Sequence, residues 1–220
     1  MDNLLAQLRS SDEAESLAGA QALATRLSHA AGPEEKLLVA ALKATTIVRT
    51  AVDVAAQRRE DAPLQHAVLG SLVNLACIGG HQIVKAQGGF AHMLESLRSP
   101  KKSVQYFAVA GVQNMVGDRE CLQAVVDTDS DVILEEMLSS PSEEIRRFAT
   151  GALANISEVQ KRVDAGGLTP STQTERLGAH PAALVEAADR RARGAAARWR
   201  VHPAAAAARR VGARQGAEGV

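Results

Sequence analysis

Three asparagines, Asn74, Asn114 and Asn155, stand at steps of 40 and 41 residues in this 220-residue chain. Each interrupts an otherwise apolar helical run, in LGSLVNLA, VAGVQNMV and TGALANIS. Asparagine is a mediocre helix former because its side chain competes for backbone hydrogen bonds. Its carboxamide carries both a donor and an acceptor. Near a helix end it can cap or bridge backbone groups of the following turn. Three in register are therefore the chemistry to explain, and it is the chemistry of binding.

Catalytic and metal-binding patterns are weaker. Cys77 and His81 are four apart, a helical metal-ligand spacing, but Gly79-Gly80 lies between them and breaks the helix. Two lone ligands rarely make a zinc site. Cys121 near the start of a short helix could have a lowered pKa, although a small buried hydrophobe fits it better. Glu135-Glu136 and Glu143-Glu144 read as solvated helix faces rather than acid/base pairs. There is no GxSxG, P-loop or HExxH pattern. The expectation is a protein that is not an enzyme, with no metal and no cofactor.

The asparagines are positioned by a repeat of about 41 residues. Ten positions before them stand Leu64, Val104 and Ile145, and six before stand Val68, Ala108 and Ala149. Two before stand Leu72, Val112 and Leu153, and one after stand Leu75, Met115 and Ile156. Spacings of four, four and three follow one face of an α-helix. Upstream, Leu97-Arg98-Ser99-Pro100 matches Leu138-Ser139-Ser140-Pro141. Ser-Pro ends a helix, because the residue before proline is pushed out of the helical region. Ser103 and Ser142 are then expected to N-cap the helices that follow. Gly88-Gly89 and Gly166-Gly167 mark a second turn, where the middle repeat has Thr128-Asp129.

A unit of short helix, double-Gly turn, medium helix, Ser-Pro turn and longer helix resembles the armadillo repeat. IVKAQGGFAHMLESLRSPKKSVQYFAVAGVQNMV is the better copy, and ECLQAVVDTDSDVILEEMLSSPSEEIRRFATGALANIS is the second. PLQHAVLGSLVNLA closes a preceding copy and EVQKRVDAGGL is expected to open a following one. The resemblance covers residues 62–168. Residues 1–61 read as degenerate armadillo-like helices. Within them, 36–57 is either an expanded repeat or one long helix with an insertion near Arg58–Asp61. The implied fold is all-α, a right-handed α-solenoid.

In that family the third helix of each repeat lines a concave groove, and an Asn ladder there pairs with the backbone of an extended peptide. Carried onto this chain, the groove positions are His66, Gly70 and Asn74; Tyr106, Ala110 and Asn114; and Arg147, Gly151 and Asn155. The nuclear-import adaptor branch carries Trp four positions before the Asn. Here Gly70, Ala110 and Gly151 stand there, so a cradle for nuclear-localisation signals is not expected. The resemblance implies a protein-interaction scaffold that binds a protein or peptide segment. A different reading is a chaperone regulator, an Hsp70 nucleotide-exchange-like armadillo domain that clasps a folded partner. A HEAT-like repeat enzyme would need His-Glu or Cys pairs recurring in register, and none do.

Composition agrees with closely packed helices: aromatics are 2 % and alanine is abundant. Formal charge is zero, yet residues 170–220 hold nine Arg, no Lys and four acids. This Ala/Arg-rich tail, residues 169–220 with Trp199, has lost the period and is expected to be disordered. It could touch nucleic acid weakly, or be a frame-shifted artefact replacing further repeats. The start, MDNLLAQLRSSDEAES, lacks the pattern of a secretory signal. No apolar run approaches the ~18 residues of a membrane span. With two cysteines in no framework spacing, a cytoplasmic or nuclear location is expected.

Overall fold

The computed structural model describes residues 1–166, and all of their regular structure is helical. They fall into two compact units that meet in sequence between Gly89 and Phe90. The Ala/Arg-rich tail expected after residue 168 lies outside the described residues.

The first unit holds α1 (Asp2–Leu8), α2 (Glu13–His29), α3 (Pro33–Lys43), α4 (Ile47–Gln57), α5 (Ala62–Cys77) and α6 (His81–Ala86). Helix starts follow local chemistry. Asp12 caps α2 by accepting from the backbone N–H groups of Ala14 (2.8 Å) and Glu15 (3.0 Å). Asp61 does the same for α5, accepting from Leu64 N–H (3.0 Å), with Pro63 in the first turn. Arg58 holds that corner, bonding Ser16 Oγ (2.6 Å) on α2 and pairing with Asp61.

Residues 36–57 are two helices rather than one. The break at Ala44–Thr46 is held from far along the chain by Gln87. Its Nε2 donates to the carbonyls of Thr45 (3.0 Å) and Leu42 (3.4 Å), and its Oε1 accepts from Arg49 N–H (2.9 Å). Arg49 in turn donates to Ala86 O (2.8 Å). One carboxamide thereby bonds carbonyls at the end of α3 and an N–H in the first turn of α4. The alternative of one long helix over 36–57 is thereby overturned.

The second unit holds α7 (Gly89–Ser96), α8 (Lys102–Met115), α9 (Arg119–Asp127), α10 (Ser130–Met137) and α11 (Glu143–Asp164). α11 packs on α8, α9 and α10. Ser142 caps α11, accepting from Ile145 N–H (3.3 Å). Ser103 does not cap α8: it lies inside the helix, and Lys101 occupies the cap position without a side-chain capping bond. The Thr128-Asp129 turn places Asp129 at φ 51, left-handed, where the better copy has Gly88 at φ 83. Asp tolerates that region better than most residues with a Cβ. Thr128 Oγ1 completes the turn through Ser130 Oγ (2.7 Å) and Ala124 O (2.8 Å).

The face predicted to be core is buried. Leu64, Val68, Leu72 and Leu75 on α5 are inaccessible, as are Val104, Ala108, Val112 and Met115 on α8. On α11, Ile145 and Ala149 are buried while Leu153 and Ile156 are half-buried. No described helix follows to cover them.

A staple recurs nine positions before each asparagine. Gln65 Nε2 donates to Ala55 O (2.7 Å) and Arg58 O (3.1 Å). Gln105 Nε2 donates to Leu97 O (3.1 Å), and Arg146 donates to Ser140 O (2.7 Å). In each repeat a long donor on the third helix bonds carbonyls at or just beyond the C-terminal end of the preceding helix.

One expectation changes. EVQKRVDAGGL does not begin a new helix; α11 runs through Asn155 to Asp164 without a break. After Asn74 the helix stops at Gly79, whose φ of 90 favours glycine. After Asn114 it stops at Val116, and Gly117-Asp118 leads into α9, which Asp118 caps through Cys121 N–H (2.8 Å). Ile156-Ser157-Glu158-Val159 offers neither device, so the ladder propagates. Gln160–Asp164 (2.6 Å) and Arg162–Glu158 (3.9 Å) pairs support the extension.

Candidate functional site

The three asparagines share a register but not an environment. In the first unit, α5 carries His66 half-buried and Gly70 buried. Asn74 is 1 % exposed. Neither Nδ2 nor Oδ1 of Asn74 has a hydrogen-bond partner among the described residues. Leaving a buried donor or acceptor unmet costs about 1–3 kcal/mol. The asparagine that first draws attention in the sequence is thus closed to solvent and unsatisfied.

In the second unit, Asn114 near the end of α8 is exposed, and so is Asn155 on α11. Asn155 Nδ2 donates to the backbone carbonyl of Gln113 (2.8 Å), one of the last four carbonyls of α8. This is the bridging role open to an asparagine near a turn, with the bond running between helices. Asn155 is otherwise exposed, and its Oδ1 makes no hydrogen bond among the described residues.

Ala110 is buried beneath this face. Gly151 is half-buried, and the carboxamide of Gln113 lies against it. A Cβ at Gly151 would stand 2.4 Å from Gln113 Nε2 and 2.6 Å from its Cδ. Gln113 was not among the expected site residues. Its signal in the sequence is slight: a polar residue at a position filled by Val73 and Ala154 in the other copies, opposite a glycine one repeat later.

Toward the N-terminal end of this face, Tyr106 stands edge-on to Phe107 (5.1 Å) and to Phe148 of α11 (5.5 Å). The Arg147 guanidinium lies 5.5 Å from the Phe148 ring centre, within cation–π range. Tyr106 is half-buried and Arg147 exposed. An aromatic joint therefore ties α8 to α11 about two turns before the asparagines.

The weaker candidates fall elsewhere. Cys77 ends α5 and His81 opens α6 across the Gly79-Gly80 turn. No three His, Cys, Asp or Glu among the described residues group as a metal site. Cys121 is 1 % exposed in the first turn of α9. Glu135, Glu136 and Glu143 are exposed, and Glu144 accepts from Ser142 Oγ (3.0 Å). No described helix is long and apolar enough to cross a membrane.

Comparison with known proteins agrees with this architecture. No family model and no curated protein matches the sequence. Solved structures do. An engineered protein matches with TM-score 0.60 and 29 % identity, over 79 % of this chain and 73 % of its own. A designed armadillo repeat protein matches with TM-score 0.59 and 22 % identity, over 75 % of this chain and 70 % of its own. Another, solved in complex with the peptide (KR)4, matches with TM-score 0.59 and 21 % identity, over 76 % and 70 %. The chain has an armadillo-type helical repeat fold.

Proposed function

We propose that the protein is an interaction scaffold that receives an extended segment of a partner protein along its third helices, α8 and α11 of the second unit. The observation that carries this reading is the pair Asn114 and Asn155. Both project to solvent at one register on packed helices whose alternate faces are buried. An extended segment has N–H and C=O groups along its edges that a folded surface can satisfy. Carboxamides supply both complements regardless of the segment's sequence. The exposed Arg147 and half-buried Tyr106 flank them and add side-chain contacts. A structural neighbour of the same fold was solved with a peptide, which supports the reading.

The test is equilibrium binding of unstructured peptides, selected by display on the full chain, to wild type and to the double variant Asn114→Ala/Asn155→Ala. Loss of both carboxamides is expected to weaken binding about tenfold or more, with helical circular dichroism retained. Unchanged affinity in a folded double variant overturns the reading. Selection of folded domains in place of extended peptides would favour the clasping mode of a chaperone regulator.

A further inference from the structure

Gln113 carries an unassigned role on this face. We propose that it is a specificity-determining residue that reads a carboxamide side chain, Asn or Gln, on the bound segment. This rests on the proposal above that α8 and α11 receive such a segment.

Three observations converge on it. First, the Gln113 side chain lies over Gly151. Its Nε2, Cδ and Oε1 would lie 2.4, 2.6 and 3.0 Å from a Cβ at Gly151, so this placement is open only to a neighbour without a side chain. Second, the backbone from which it springs is fixed, because Gln113 O accepts from Asn155 Nδ2 at 2.8 Å. Third, the side-chain amide makes no hydrogen bond among the described residues, although it is half-buried. A half-buried amide without a protein partner offers one donor and one acceptor side by side, and a ligand that brings both complements it.

The neighbouring groups narrow the class. The Arg147 guanidinium one turn earlier on α11 lies over Phe148, and Glu158 one turn later than Asn155 is paired with Arg162. What faces the partner between them is neutral: Gln113, Asn114 and Asn155. A carboxamide can form two antiparallel hydrogen bonds with the Gln113 amide. A hydroxyl must donate and accept through a single oxygen, which bends both bonds, and an aliphatic side chain would bury the amide without compensation.

The experiment selects short random peptides displayed on phage against the full chain, then measures each selected peptide by fluorescence anisotropy. Asn or Gln should be enriched at one position. Replacing it by Ala in the peptide, or changing Gln113→Ala or Gln113→Glu in the protein, should each weaken binding about tenfold. The two losses should not add when combined. Gln113→Glu keeps the size and shape of the side chain, so a loss shared by both variants reports hydrogen bonding rather than packing. Two results overturn the inference while leaving the groove reading intact. One is enriched peptides lacking Asn and Gln. The other is unchanged binding to both Gln113 variants by peptides that do require Asn114 and Asn155. Failure to enrich any peptide sinks the groove reading and this inference with it.

Discussion

Asn74 in the first unit and Asn155 in the second occupy the same position in the repeat and do opposite things. Asn74 is buried with both amide atoms unmet, whereas Asn155 is exposed and spends a donor on the preceding helix. A repeated sequence position sets where a side chain leaves the helix. What surrounds it decides whether it costs stability, contributes stability or remains open to a partner. The same holds for the staple nine residues earlier: Gln65 serves two carbonyls while 3 % exposed, and Arg146 serves one from a half-buried position.

That contrast can be tested in order of expected size. The staple should show it most strongly. Gln65→Ala removes two hydrogen bonds made from a buried position and is expected to cost about 2 kcal/mol, against about 1 kcal/mol for Arg146→Ala, which removes one made from a half-buried position. Chemical denaturation of both variants measures the gap; equal losses would show that burial does not separate the two units. Asn74→Leu should instead raise stability by about 1–2 kcal/mol, since an apolar side chain of similar volume replaces an unsatisfied amide. Asn155→Leu should lower it by about 0.5–1 kcal/mol through loss of one net hydrogen bond. A thermal melt in which both asparagine variants move the same way would remove the distinction between the rungs. The smallest effect concerns the turn that opens the second helix of a repeat. Asp129→Gly should gain about 0.5 kcal/mol by relieving a left-handed residue, and Gly88→Asp should lose a comparable amount or more. Reversed signs in the two melts would mean that the Thr128 and Ser130 hydroxyls need the aspartate.

Much of this was legible in the sequence. The apolar positions at −10, −6, −2 and +1 around Asn74 and Asn114 are buried as their spacing predicts. The Ser-Pro turns fall between α7 and α8 and between α10 and α11. Other features were hidden for identifiable reasons. The α3–α4 break depends on Gln87, more than forty residues away in the chain. No local preference at Ala44–Thr46 announces it. The continuity of α11 turned on the absence of a glycine after Asn155, a signal weaker than the repeat that predicted a new helix. Gln113 was overlooked because its significance belongs to Gly151, a residue of the next repeat.

The sequence by itself determined the helical repeat, the buried faces of α5 and α8 and the register of the three asparagines. Helical periodicity, capping residues and turn glycines act over a few residues and can be read locally. Only the tertiary structure decided which asparagine is sealed and which is open, and which carbonyl each polar side chain satisfies. Burial and hydrogen-bond partners are properties of what packs against a residue. In this chain the packing partners lie up to a full repeat or more away.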